Sequence, residues 1–189
     1  MYLFIDTETT NLPRDWKAPV TDLFNWPRLV QLAYLYYDDK GNKISEGNFI
    51  IKPDGFTIPL ESSRVHGIST VKAMGEGLEL QNVLGHFQDL IDKSEVLVAN
   101  DMNFDEKVIG AEFLRNGFQD IVSSKNKISI RQTAANFCKI PGIFGFKWPR
   151  LSELHDKLFN TRFEETHNAF IDINATAKCF WELKRLGIV

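Results

Sequence analysis

The stretch Tyr2-Leu3-Phe4-Ile5-Asp6-Thr7-Glu8-Thr9-Thr10 decides the fold. Tyr2 to Ile5 is a short apolar run with aromatic and β-branched members, the composition of a buried strand. It ends in two acids. Side chains alternate faces along a strand, so residues at i and i+2 project together. Asp6 and Glu8 therefore stand side by side. Two carboxylates so placed repel, and an apolar strand should not end this way without a counter-charge. A divalent cation is the simplest one. The plainer alternative is a solvated strand end whose acids only open the next turn.

Working outward, Leu29 to Tyr37 and Lys43 to Ile51 read as two more strands. The turn cluster Asp38-Asp39-Lys40-Gly41-Asn42 joins them as a hairpin. Thr10 to Arg28 carries Pro13, Pro19 and Pro27 and reads as a long irregular loop, ordered by Trp16 and Trp26. Leu80, Leu84, Phe87 and Ile91 recur at helical spacing and predict a helix to about Ser94. Val96 to Ala99 is a compact strand. Phe104 to Asn116 is a helix with Gly117 as terminator. Ile128 to Ile130 reads as a short edge strand, and Leu151, Leu154 and Leu158 mark another helix. The last helix runs from about Asn168 to Leu186, closed by Gly187. Three strands first, then strands alternating with helices, predict an α/β fold with a sheet of mixed strand directions.

Composition narrows the function classes. The length of 189 residues predicts one domain, residues 1–189. With 43% hydrophobic residues the chain is not disordered, and it holds no apolar run long enough to span a bilayer. No basic-then-apolar signal pattern precedes Asp6, and Cys138 and Cys179 form neither a disulfide framework nor a zinc-ligand set. Both readings predict a cytoplasmic protein and no membrane partner. A net charge of −3 excludes a basic protein that coats nucleic acid.

Two further acids and a histidine join the first pair. Asp105, at the start of its helix, shares a face with Val108 and Ile109, which puts an acid on the core side. Its alternative reading is a helix cap. In the last helix Ala169, Ile173, Thr176, Phe180 and Leu183 form the inward stripe, and Asp172 lies beside it. Charged groups are rarely buried unless paired. His167 sits just ahead of that helix, free to swing over whatever Asp172 touches. Its alternative reading is an edge histidine. His86 falls off its helix's apolar stripe and reads as solvated, and His155 reads as a core-edge residue. Lys147-Trp148-Pro149-Arg150 pairs two cations with an aromatic, a set that can meet a nucleic-acid strand. A helix-entry turn is the plainer reading.

Asp6-x-Glu8, Phe104-Asp105 and His167-x-x-x-x-Asp172, in this order, resemble the three motifs of the DEDD superfamily of 3′–5′ exonucleases in its histidine-bearing branch. Val65-His66-Gly67-Ile68 strengthens the likeness to the DnaQ-like group, which includes the epsilon proofreading subunit of bacterial DNA polymerase III. The likeness spans Tyr2 to Leu186. It implies a ribonuclease H-like fold, a mixed central sheet flanked by helices. It also implies 3′–5′ hydrolysis of single-stranded ends to nucleoside 5′-monophosphates, with DNA favoured.

The resemblance implies two divalent cations as cofactors, Mg²⁺ or Mn²⁺, because carboxylate oxygens are hard ligands. Such ions, about 4 Å apart, stabilise the attacking and leaving oxygens of a displacement at phosphorus. Asp6, Glu8 and Asp172 would hold the tighter positions and Asp105 would complete the second ion's shell. Loading both ions would bring the net charge from −3 to about +1. His167 would be the general base, since histidine exchanges protons near neutral pH. Glu61 and His66 would line the pocket for the terminal nucleotide, with Thr7, Glu8 and Thr9 contacting its 3′ end.

Three positions depart from the group's usual pattern. Asn100-Asp101 stand where His-Asn is common, and Asp101 adds a negative charge near the site. Asn11 stands where glycine is common and is expected to take the turn's positive φ. The sequence stops three residues after Leu186, so no C-terminal polymerase-tethering extension is expected. Two rivals stay open: an RNA 3′ trimmer of the RNase T or oligoribonuclease kind, and a catalytically silent binding or scaffold module.

Overall fold

A computed structural model describes residues 1–189. In chain order the elements are β1 (Tyr2–Thr9), β2 (Leu29–Tyr37), β3 (Lys43–Ile50), α1 (Leu60–His66), α2 (Thr70–Glu76), α3 (Leu80–Lys93), β4 (Val96–Ala99) and α4 (Met102–Arg115). Then come β5 (Asn126–Ser129), α5 (Ile130–Thr133), α6 (Ala135–Cys138), β6 (Pro141–Gly142), β7 (Gly145–Phe146), α7 (Leu151–Phe159) and α8 (Ala169–Arg185). The main sheet has the order β3-β2-β1-β4-β5. β1, β2 and β3 are antiparallel neighbours, while β4 and β5 run parallel to β1. The expected α/β fold with a mixed sheet between helices is the one observed. No helix is long and apolar enough to cross a membrane.

Alternation along β1 divides the core in two. Leu3 and Ile5 face α3 and α4, packing with Phe87, Ile91, Val108, Ile109 and Phe113. Phe4 faces the other way, onto Leu154, Ile173, Phe180 and Leu183 of α7 and α8. All of these side chains are buried. Burying a residue of this size stabilises the fold by about 1.5–3 kcal/mol, so each layer fixes its helices firmly against the sheet.

Strand pairing opens the place for a site. β1 pairs with β4 only over Tyr2, Leu3 and Phe4, whereas its pairing with β2 continues to Thr9. The second half of β1 thus runs beyond β4, and its free edge faces the start of α4. Crevices at the carboxyl ends of parallel strands are where α/β sheets bind ligands.

Several expectations need correction. β1 extends four residues past Ile5, because β2 supplies backbone partners through the acidic motif. β5 covers Asn126–Ser129 and hands Ile130 to a helix. The Thr10–Arg28 segment is an ordered loop, as Trp16 and Trp26 suggested: the Trp26 indole donates to the Pro19 carbonyl at 3.0 Å. Helices α1, α2, α5 and α6 and the β6–β7 hairpin were not foreseen. His86 is exposed as expected, yet it also meets the Tyr34 hydroxyl at 3.1 Å. His155 is buried against Phe159 and Phe163.

Candidate active site

The acids come to the free edge of β1 from both faces of the sheet. Asp6 and Glu8 point, like Phe4, toward α8. There a ligand atom of Glu8, one of His167 and one of Asp172 lie within 4.8 Å of one another. Asp105 arrives from the opposite face, on the first turn of α4, and the Thr7 hydroxyl donates to its Oδ1 at 2.7 Å. Thr7 is one residue out of phase with Asp6 and Glu8, which is why it meets the α4 side. Asp105 and Asp172 are both buried.

None of Asp6, Glu8, Asp105 and Asp172 has a cationic partner among the ion pairs of the chain. Their proton affinities record this. Burial and then the charge of Asp105 push the Asp6 carboxyl well above the usual range. Glu8 is pushed up to about 8 by burial and then by Asp172 and Asp105. Burial also pushes Asp105 up to about 8, against the pull of the Thr7 hydrogen bond. Asp172 is raised by burial, and the Thr166 N–H that donates to its Oδ1 at 3.1 Å works the other way. Four crowded, desolvated carboxylates favour the neutral form unless positive charge is supplied. Hard oxygen donors at this density suit a divalent ion such as Mg²⁺ or Mn²⁺. The residue set therefore fits the expected metals.

His167 lies in the loop between α7 and α8, exposed, with φ at +50°. Few residues other than glycine adopt that conformation, and histidine is among those enriched there. The loop is pinned at several points. The Phe163 N–H donates to Asp156 at 2.8 Å, and the Ser152 N–H donates to Glu165 at 2.9 Å. The Thr161 carbonyl lies 3.3 Å from Nδ1 of His155. Asn168 caps α8 by accepting from the Phe170 N–H at 3.1 Å. Glu165 also adds negative charge felt by Asp6 and Asp172. Nothing in the sequence pattern singled it out, because its partner Ser152 is distant along the chain.

A cavity of about 370 Å³ opens beside these groups. Thr7, Glu8, Thr9, Glu61, His66 and His167 line it, together with Leu12, Ser62, Val65 and Phe104. Its volume falls in the range of small-molecule sites, about 300–1,000 Å³. The contributions of α1 are Glu61, Ser62, Val65 and His66, which is one face of a helix turn. That spacing is the signal that would have revealed Ser62 and Val65. His66 is the last residue of α1 and is buried. Its Nδ1 accepts from the Ile68 N–H at 3.2 Å, so the proton of the neutral ring sits on Nε2. That Nε2 is buried without a partner. Burial holds the His66 pKa below its usual value, keeping the ring neutral.

Two of the departures take definite form. Asp101 pairs with Arg131 at 2.8 Å, so its added charge is locally balanced. Asn11 does not take a positive φ. Instead its side chain accepts from the Leu12 N–H at 3.0 Å, and its carbonyl accepts from the Thr9 hydroxyl at 2.6 Å. The expected glycine-like turn is replaced by a side-chain-supported one.

Residues 3–180 match the family model described as Exonuclease. No curated protein sequence matches the chain. Among solved structures, the chain resembles Escherichia coli Exonuclease I in complex with a dA16 oligonucleotide, at 20% identity and a TM-score of 0.74. It resembles the complex with a dT13 oligonucleotide at 21% identity and a TM-score of 0.75, covering 98% of this chain and 42% of that one. The zinc-bound form of the same enzyme with single-stranded DNA gives 20% identity and a TM-score of 0.75. In the first and third of these the match covers 97% of this chain and 40% of the other. This chain thus spans about 40% of the length of the enzyme it matches.

Proposed function

We propose, from the premise that the chain belongs to the exonuclease family, that it removes nucleotides from 3′ ends. The substrate would be single-stranded nucleic acid, DNA favoured, cut at the terminal phosphodiester to release nucleoside 5′-monophosphates. Asp6-x-Glu8 and His167-x-x-x-x-Asp172 support placing it in the DnaQ-like group, as a cytoplasmic enzyme with one exonuclease domain over residues 1–189. The observation that carries this reading is the convergence of Glu8, His167 and Asp172 within 4.8 Å, beside the cavity lined by Glu61 and His66. The Exonuclease I structures that hold single-stranded oligonucleotides support the choice of DNA.

The placement of each residue supports a part for it in this reading. Asp6, Glu8 and Asp172 would hold two divalent cations, with Asp105 completing the shell from the α4 side. When bound, Mg²⁺ or Mn²⁺ supplies the positive charge that stabilises the displacement at phosphorus. The His167 imidazole takes the proton from the attacking water, and its exposed loop position leaves it open to that water. The buried His66 Nε2–H, which meets only the Thr9 backbone, would donate toward the terminal nucleotide. Glu61 lines the same pocket for the terminal nucleotide. The Thr7 hydroxyl orients Asp105, and the backbone of Thr7 and Thr9, beside Glu8, would contact the terminal 3′ end.

A 5′-labelled single strand incubated with the enzyme and Mg²⁺ tests this. A ladder of 3′-shortened products that EDTA abolishes is expected. Internal fragments, or cleavage that resists EDTA, would contradict it. DNA and RNA strands run side by side decide between the preferred substrate and RNA trimming.

A further inference from the structure

The segment ahead of α7 has no part in the carboxylate site. From Lys139 to Arg150 the sequence holds three cations, the aromatic residues Phe144, Phe146 and Trp148, and no acid, in a chain of net charge −3. It folds into the β6–β7 hairpin. The two-residue tip presents Ile143 and Phe144 at 92% and 101% exposure. Phe146 and Trp148 are about half exposed. Water solvates such a set poorly, and large exposed apolar groups in a cluster mark contact surfaces.

The base of the hairpin is tied to the site at two points. The Trp148 ring lies over the Arg131 guanidinium at 4.8 Å, and Arg131 pairs with Asp101 at the head of α4. On the other side Arg150, Arg162 and His167 line one depression of about 500 Å³, together with the acids Asp156, Glu164 and Glu165. The segment's last cation, Arg150, therefore shares a depression with His167. Lys147 is held by Glu153 at 2.7 Å and Arg131 by Asp101, which leaves Lys139 and Arg150 as the hairpin's free cations.

Exposed rings interleaved with cations fit one kind of partner: a single strand whose bases stack on the rings while its phosphates meet the charges. We propose that this hairpin, through Phe144, Phe146 and Trp148 with Lys139 and Arg150, grips the strand on the 5′ side of the terminal nucleotide. A long strand is then held more tightly than a dinucleotide. This deepens the exonuclease reading and rests on it.

The test compares an oligothymidylate of about 20 nucleotides with a thymidine dinucleotide. Base stacking on an aromatic side chain is worth about 1–3 kcal/mol per base, or about 5- to 150-fold. Phe144→Ala should raise KM on the long strand by at least about fivefold and leave kcat/KM on the dinucleotide within about twofold. Because Phe144 touches nothing that folding needs, its replacement leaves the fold intact. Lys139→Ala with Arg150→Ala should flatten the salt dependence of long-strand binding by about one unit per charge. Equal effects on both substrates, or none on either, would overturn the proposal. So would a Phe144→Ala change in oligomeric state with unchanged long-strand kinetics, which would assign the tip to a second copy of the chain. Should the wild type cleave neither substrate, the exonuclease reading fails by itself. Anisotropy of the labelled long strand then judges the hairpin alone: weaker binding by Phe144→Ala supports it, and equal binding refutes it.

Discussion

The two sides of β1 hold their share of the site differently. On the α4 side Asp105 is buried, sits inside a helix of 14 residues and is fixed by the Thr7 hydroxyl at 2.7 Å. On the α8 side His167 is exposed and lies on a loop, with φ at +50°. Charge that must be fixed in space is built into regular structure. The group proposed to exchange a proton with water is left at the surface. Asp172 joins the two, since it belongs to α8 but accepts from the Thr166 N–H of the loop.

The comparison can be broken most severely at the strand itself. Asp6→Asn removes a carboxylate that feels Asp105, Glu8 and Asp172 at once. Loss of the metals' charge stabilisation should lower kcat by about 10⁴-fold, about 5.5 kcal/mol. His167→Ala should cost about 10²–10⁴-fold in kcat, the usual worth of a general base, while leaving metal affinity near that of the wild type. If metal affinity fell as steeply as in Asp6→Asn, His167 would be a ligand and not the base. Thr7→Val should cost about 10- to 100-fold in the Mn²⁺ concentration needed for half-maximal rate, since hydrogen bonds to charged groups contribute about 1.5–3 kcal/mol. Thr7→Ser should recover most of it.

The smallest effect is on stability, and its sign is fixed. Glu8 and Asp105 titrate near 8 in the folded chain, against ordinary values of 4.5 and 3.8. Between those limits the folded chain binds more protons than the unfolded one, so stability falls as pH rises. In EDTA the Tm should drop from pH 5 to pH 8. Asp105→Asn should flatten that slope, and Mg²⁺ should raise the Tm most at pH 8. A metal-free Tm that climbs across this range would contradict the burial of unpaired acids.

How much of this was legible depended on the length and regularity of each segment. β1 was readable because an apolar run that ends in alternating acids puts two like charges on one strand face, for which a bound cation is the simplest counter-charge. α8 was readable because its inward stripe repeats over four turns. Helix α1 was not, since Leu60-Glu61-Ser62-Ser63-Arg64-Val65-His66 buries little beyond His66 and carries no apolar stripe. The β6–β7 hairpin was missed for a similar reason: strands of two residues show no alternation. The acids could be named from spacing, but not their approach from opposite faces of the sheet. That follows from β4 ending early against β1, a fact of pairing rather than of sequence pattern. Glu165 and its hold on Ser152 likewise depend on two loops meeting.

Calorimetric titration of Mn²⁺ into the protein with thymidine 5′-monophosphate at neutral pH tests the central claim most directly. Two ions per chain are predicted, with proton release as the raised carboxyls ionise, and with at least one ion lost in Asp6→Asn. Absence of Mn²⁺ binding, or equal binding by wild type and Asp6→Asn, would contradict the account.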